Sequence, residues 1–562
     1  MFNSLTNHYK YPPGATCMAS STSLSSPPVR SLVIAQDLNC LGHTNMAMNV
    51  STTTGFFTTT ATSFASTSSI NAVKILLVTL FISIVSTVIK SQKRAAYKKA
   101  SKNLSLPPGP TPWPLIGNIP EMIRYRPTFR WIHQLMKDMN TDICLIRFGR
   151  TNFVPISCPV LAREVLKKND AIFASRPKTL SAKSMSGGYL TTIVVPYNDQ
   201  WKKMRKILTT EIISPARHKW LHDKRAEEAD NLVFYIHNQF KANKNVNLRL
   251  ATRHYGGNVI RKMVFSKRYF GKGMPDGGPG PEEIEHIDAV FTALKYLYGF
   301  CISDYMPFLL GLDLDGQEKF VLQANKTIRD YQNPLIDERI QQWRSGERKE
   351  MEDLLDVFIT LKDSDGKPLL TADEIKNQIA EIMIATVDNP SNAIEWAMGE
   401  MLNQPEILKK ATEELDRVVG KDRLVQESDI PNLNYVKACA REAFRLHPVA
   451  HFNVPHVAME DSVIGDYFIP KGSWATLSRY GLGRNPKTWP DPLKYDPERH
   501  LHEGEVVLTE HDLRFVTFST GRRGCVASLL GSCMTTMLLA RMLQCFTWTP
   551  PASVSRLISP RL

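Results

Sequence analysis

The chain lacks the spacing of a disulfide framework. Its nine cysteines (17, 40, 144, 158, 301, 439, 525, 533 and 545) are scattered, odd in number and without a C-x-x-C pair. That pattern argues for reduced thiols on the cytosolic side. It also lacks a G-x-G-x-x-G run or a recognisable flavin site, so electrons for any redox chemistry must come from a separate protein. A net charge of +14 comes without a basic stripe interleaved with aromatics, which argues against a nucleic-acid binder. An enzyme at a membrane surface that docks an acidic partner accounts for the charge better. There are no internal repeats, and residues 1–69 contain almost no acids.

That first stretch is rich in Ser, Thr, Asn and Ala and reads as a disordered extension and lumenal tail. Met46 and Met48 look like alternative starts, and Arg30 is the lone arginine before them, too few for a transit peptide. Residues 70–89 hold the one long apolar run, ending Ile84-Val-Ser-Thr-Val-Ile89, about a bilayer wide. Lys90, Lys93, Arg94, Lys98, Lys99 and Lys102 follow with no acid among them, so residues 90–106 form a basic linker on the cytosolic side of a single-pass anchor. Leu106-Pro-Pro-Gly-Pro-Thr-Pro-Trp-Pro114 is a stiff spacer. Residues 107–562 make one large domain, mainly helical, with strand-like pieces at 143–148, 153–156 and 473–477.

Four patterns in that domain carry chemistry. Trp201 and Arg205 lie four apart on one helical face, in the bland case a packing or cation–π pair. Thr371-Ala-Asp-Glu374 is a capping box that opens a long apolar helix. That helix runs into Ala385-Thr-Val-Asp-Asn-Pro390, where the proline removes a helical hydrogen bond beside Asp388 and Asn389. Glu442-Ala-Phe-Arg445 is an i, i+3 ion pair, followed later by Pro497-Glu-Arg499-His500. Finally, Thr517-Phe-Ser-Thr-Gly-Arg-Arg-Gly-Cys-Val-Ala527 sets a cysteine after a glycine turn and before an apolar helix, 529–543. Such a frame can shield a thiolate and give it backbone N–H bonds and the positive end of a helix. Cys533 and Cys545 have no such frame and read as small buried hydrophobes.

The cysteine run resembles the haem-binding signature of the cytochrome P-450 family, F-x-x-G-x-R-x-C-x-G, with Phe518, Gly521, Arg523 and Cys525 in place and Ala527 for the last glycine. That last position needs close packing more than a positive φ. The resemblance implies a mainly α fold with small β-sheets and an N-terminal transmembrane anchor. It implies haem b held by Cys525 as the axial ligand to iron, with Arg523, Arg205 and His456 at the propionates and Trp201 beside the haem. It further implies a buried Glu442–Arg445–Arg499 triad, and an oxygen-binding groove in which Asp388 keeps the acid while Asn389 and Pro390 replace the usual hydroxyls.

Asp388-Asn-Pro-Ser-Asn392, Pro497-Glu-Arg-His500 and the stretch 444–453 look like the plant amino-acid N-monooxygenases, in character the valine/isoleucine branch that opens cyanogenic glucoside synthesis. The implied reaction takes a small aliphatic L-amino acid to its aldoxime, with O2 and electrons from NADPH through a cytochrome P-450 reductase, at the endoplasmic reticulum membrane. Pocket candidates by family position are 185–189, the groove, and 451–454. Other readings stay open: an aromatic amino-acid N-monooxygenase, a haem-thiolate isomerase or dehydratase that does not activate oxygen, or an inactive isoform. The last arises because the chain stops at Leu562 without the pattern of the family's C-terminal β-hairpin, which is expected to be missing or replaced.

Overall fold

The computed structural model describes residues 104–501 and 504–550. The expected N-terminal tail, the anchor, the linker up to residue 103 and the final residues 551–562 lie outside the described residues. Among the described residues no helix is long and apolar enough to cross a membrane.

The proline spacer does not stand free. Pro108 accepts a hydrogen bond from Leu145 N at 2.8 Å, and Ser105 accepts one from Phe468 N at 2.9 Å. Glycine is required at position 109, because a Cβ there would sit 1.9 Å from the Leu145 carbonyl oxygen. The stiff segment is thus clamped to the body of the domain.

A four-stranded sheet runs in the order β1 (Ile146–Phe148), β2 (Thr151–Ile156), β6 (Trp474–Leu477), β3 (His456–Val457). β2 and β6 are parallel and the other pairs antiparallel. Two further strands, β4 (Ser462–Ile464) and β5 (Tyr467–Ile469), pair separately. Buried β-branched and aromatic residues on β1, β2 and β6, including Ile146, Phe148, Val154 and Ile156, give these short strands the packed surface they need.

Helices dominate the rest. Six position the site: α1 (Asp199–Ile207), α2 (Leu248–Phe265), α3 (Ala372–Asn403), α4 (Asn434–Leu446), α5 (Arg479–Gly483) and α6 (Ser528–Cys545). The capping box forms as expected: Thr371 accepts from Glu374 N, and the Glu374 carboxylate accepts from Thr371 N. α3 then crosses the core and packs on α2, α4 and α6. Ile379, Met383, Ile394, Ala397, Met398 and Met401 on it are wholly buried. Each large apolar side chain removed from water contributes roughly 1.5–3 kcal/mol, so burial on every face holds α3 together across its proline.

Candidate active site

Around Pro390 the polar side chains of α3 bond back to their own helix. Thr386 Oγ1 donates to the Ile382 carbonyl at 2.8 Å, Asn389 Nδ2 to Ala385 at 3.1 Å, Ser391 Oγ to Val387 at 2.7 Å and Asn392 Nδ2 to Asp388 at 3.2 Å. Each reaches the carbonyl four residues back, a pattern that bends helices. Asn392 also donates to the Asp388 carboxylate. Burial pushes the Asp388 carboxyl up to about 6, against the pull of the Arg253 and Arg479 guanidiniums. Asn389, expected to orient a water, spends its amide N–H on its own helix.

The cysteine loop is built from the backbone outward. Cys525 N donates to Phe518 O at 2.8 Å, and Gly524 N to Gly521 O at 3.0 Å. Gly521 has φ +71°, and a Cβ there would lie 2.2 Å from the Leu166 carbonyl oxygen. Ala527 has φ −102°, open to any residue, so the departure from the family's glycine costs no backbone strain. The Phe518 ring lies against Gly531 on α6. Cys525 carries free surface although protein surrounds it, as a residue on the wall of a hollow does. Burial pushes the thiol up. The Ala527 N–H and the Arg205 and Arg479 guanidiniums oppose that rise.

Cations outnumber acids at this hollow, where Glu381 is the acid that acts on Arg523. Arg523 spends Nε on Ala174 O at 2.5 Å, Nη1 on Thr192 O at 3.0 Å and Nη2 on Val195 O at 2.7 Å. Arg176 donates to the carbonyls of Ile193, Val454 and Pro455 at 2.9–3.2 Å. Burial, then the mutual repulsion with Arg176 and Arg205, drops Arg523 to about 8. A further anion would relieve such a cluster. His456, on β3, donates Nδ1–H to Phe173 O at 2.8 Å. Burial and then Arg176 hold it far below the ordinary histidine range, so it sits neutral.

Trp201 does not pair with Arg205 as the helical spacing suggested. Its ring lies 4.4 Å from the Arg523 guanidinium and 5.1 Å from the Tyr197 ring. The four-residue spacing puts both residues on one side of α1, but Trp201 turns into the protein to support Arg523 while Arg205 faces Cys525.

Under this loop Glu442 accepts from Arg445 at 2.7 Å, from Arg499 at 3.1 Å and from His500 Nε2 at 2.8 Å. The three expected residues come together, and His500 joins them as a fourth. Sequence reasoning also missed Arg176 and Arg479. Neither stands in a motif: Arg176 follows Ser175 in an irregular segment, and Arg479 opens the five-residue α5.

A second grouping, His218, Glu427 and Cys533, brings three metal-ligand atom types together. Arg225 already fills it, with two bonds of 2.7 Å to Glu427 and a 3.1 Å contact to His218 Nε2. It is a buried ion-pair network. A surface cleft of about 520 Å³ lined by Lys267, Tyr269 and Tyr331 shares no residue with the hollow.

A family model for cytochrome P-450 matches residues 107–561. Valine N-monooxygenase 1 of Manihot esculenta is 92% identical over 512 residues, which is 91% of this chain and 94% of that protein. Isoleucine N-monooxygenase 1 of Lotus japonicus is 59% identical over 81% of this chain and 86% of its own length. Among solved structures, a zebra fish cytochrome P-450 with progesterone superposes with a TM-score of 0.60 at 24% identity, covering 75% of this chain and 92% of that one. That likeness speaks for the fold alone.

Proposed function

This chain belongs to the cytochrome P-450 family, and from that premise we propose that it oxidises the amine nitrogen of L-valine or L-isoleucine to give the aldoxime that opens cyanogenic glucoside synthesis. The observation that carries this reading is the 92% identity to a valine N-monooxygenase across 91% of the chain, with the cysteine loop intact. Two N-hydroxylations, each using one O2, two electrons and two protons and releasing one water, give an N,N-dihydroxy amino acid. Loss of water and CO2 then leaves the oxime.

The hollow suits a haem. A thiol faces it, and a group of guanidiniums that outnumbers its acids suits anions such as two propionates. In this reading Cys525 would be the thiolate ligand to the haem iron and Arg205 and Arg523 would hold the propionates, while His456, whose one N–H in the neutral ring goes to Phe173 O, would join them by taking a second proton on Nε2 once an anion lies beside it. Trp201 supports Arg523, while Phe518 and Gly521 shape the loop. When bound, the group supplies oxygen activation, favoured by an electron-donating thiolate. The protein's own share is positioning and proton supply. Asp388, with its carboxyl near 6, exchanges protons close to neutral pH, and the Asn389 side-chain carbonyl is left to order water.

Electrons reach the site from NADPH through a separate reductase that docks on the cysteine-loop face, where Arg522 is exposed. The domain lies on the endoplasmic reticulum membrane. Exposed Trp113 and Leu115 (56% and 59%) and Phe308 and Leu312 (76% and 64%) support this placement. Their two segments meet at Gly149, whose N–H donates to Ile116 O and whose Cα faces Tyr305 O. Apolar side chains exposed on two adjoining segments suit a lipid contact.

The test is a titration of the haem Soret band in microsomes holding the full chain, with L-Val, L-Ile, L-Phe, L-Tyr and L-Trp. A shift with the aliphatic pair alone is expected. A shift with an aromatic amino acid alone would move the substrate class.

A further inference from the structure

Arg479 stands apart from the other cations at the hollow. It stands just past the end of β6, after Ser478, and its backbone N–H donates to His451 O at 2.9 Å. The residue before it is pinned: Ser478 Oγ meets His133 Nε2 at 2.6 Å and accepts from Gly481 N at 2.8 Å. The backbone of Arg479 is therefore held by its own bond to His451 and by Ser478, and its side chain extends from a rigid corner.

That side chain is wholly surrounded by protein yet keeps some free surface, so it too lines the hollow. Its Nε is buried with no hydrogen-bond partner. Burial lowers the guanidinium to about 10. The groups that oppose this are the Asp388 carboxyl on α3 and the Cys525 sulfur. The repulsion felt by Arg523 comes instead from Arg176 and Arg205. The cations thus divide into two sets. Arg176, Arg205 and Arg523 form one cluster. Arg479 sits elsewhere on the wall, facing the acid of the kinked helix. A buried guanidinium with an unmade N–H bond is costly unless an anion completes it, and a planar fork suits a carboxylate.

We propose that Arg479 holds the α-carboxylate of the amino-acid substrate, fixing it so that the amine nitrogen faces the reacting centre. The proposal rests on the reading of the chain as an amino-acid N-monooxygenase and names the group that recognises the amino-acid head. Arg479 acts as a binding residue here. An aliphatic amine without a carboxylate would not use it.

The test uses the full-length, haem-loaded protein in membranes and reads binding by Soret shift. Three probes are titrated: L-valine, L-valinamide, which has the same shape without the negative charge, and 2-methylpropylamine, which has no carboxyl group. In the unaltered protein L-valine binds at least about ten-fold more tightly than L-valinamide, the scale of one charge-assisted hydrogen bond. Arg479→Gln removes that preference, weakening L-valine about ten-fold or more while 2-methylpropylamine changes less than about two-fold. Arg479→Lys keeps part of the preference. Equal binding of L-valine and L-valinamide to the unaltered protein would overturn the proposal without any variant. So would parallel weakening of L-valine and the amine in Arg479→Gln, or loss of haem from both Arg479 variants, which would assign the residue to the cofactor. No shift with any amino acid in the unaltered protein, with the reduced CO band present, would instead defeat the functional reading beneath it.

Discussion

Gly521 lies so close to Leu166 that a Cβ on the glycine would come within 2.2 Å of the leucine carbonyl oxygen. The same glycine has φ +71° and starts the 3-10 turn whose third residue is Arg523. One position thus couples the turn that aims Arg523 to the element that carries Leu166, and the backbone bond Cys525 N to Phe518 O closes the loop behind it.

Gly521→Ala is therefore expected to damage the loop more than the global fold. A positive φ strains alanine by roughly 1 kcal/mol, and the clash with a backbone oxygen cannot be relieved by a side-chain rotation. The ratio of Soret to protein absorbance should fall several-fold, while far-ultraviolet circular dichroism stays near that of the parent. Full haem content in this variant would show that the loop tolerates displacement from Leu166.

Glu442 meets Arg445, Arg499 and His500 with its two oxygens, and both it and Arg445 are fully buried. Burial alone would push its carboxyl up, but bonds from Arg445 and His500 hold it below the ordinary range. A depressed carboxyl contributes stability above its unfolded pKa and loses it as pH falls. Glu442→Gln keeps the shape and leaves two guanidiniums without a counter-charge, a loss of about 3–5 kcal/mol for a broken buried pair. Thermal unfolding at neutral pH should move down by several degrees, and the gap to the parent should narrow in acid as Glu442 protonates. A gap that does not change with pH would assign the loss to packing.

Much of this site could be read from the chain because its chemistry is local. The cysteine loop, the E-x-x-R pair and the capping box at Thr371 are each set by residues a few positions apart, where turn geometry and helix spacing fix the outcome. Partnerships that depend on distant segments could not be read that way. Trp201 turned to Arg523, 322 positions further along the chain, although helical spacing offered Arg205. Arg176 and Arg479 carry no motif, and they become interpretable only when β3, β6 and α3 are brought around one hollow. His500 was visible as a variant letter beside Arg499, but its bond to Glu442 requires the tertiary approach of its 3-10 turn (Pro497–His500) to α4.

His133 and His451 supply a separate check on the wall beside Arg479. His133 stacks on Phe452 at 5.0 Å and lies 6.2 Å from His451, which stacks on Phe129 at 3.4 Å. Burial lowers His133 to about 4 and His451 to about 3, with Arg484 adding to the effect in both. For a histidine whose folded pKa lies below its unfolded value of 6.5, the unfolded chain takes up protons first. Stability contributed by the neutral ring is intact above that value and drains away as pH falls toward the folded pKa. His133 alone is then worth up to about 3 kcal/mol of acid sensitivity. Chemical denaturation between pH 7.5 and 5 should show stability falling with acid, and His133→Gln, whose amide can still bond Ser478 Oγ but cannot charge, should flatten that slope. An unchanged slope in His133→Gln would mean that the ring already titrates in the folded wall, and that this side of the hollow is open to water.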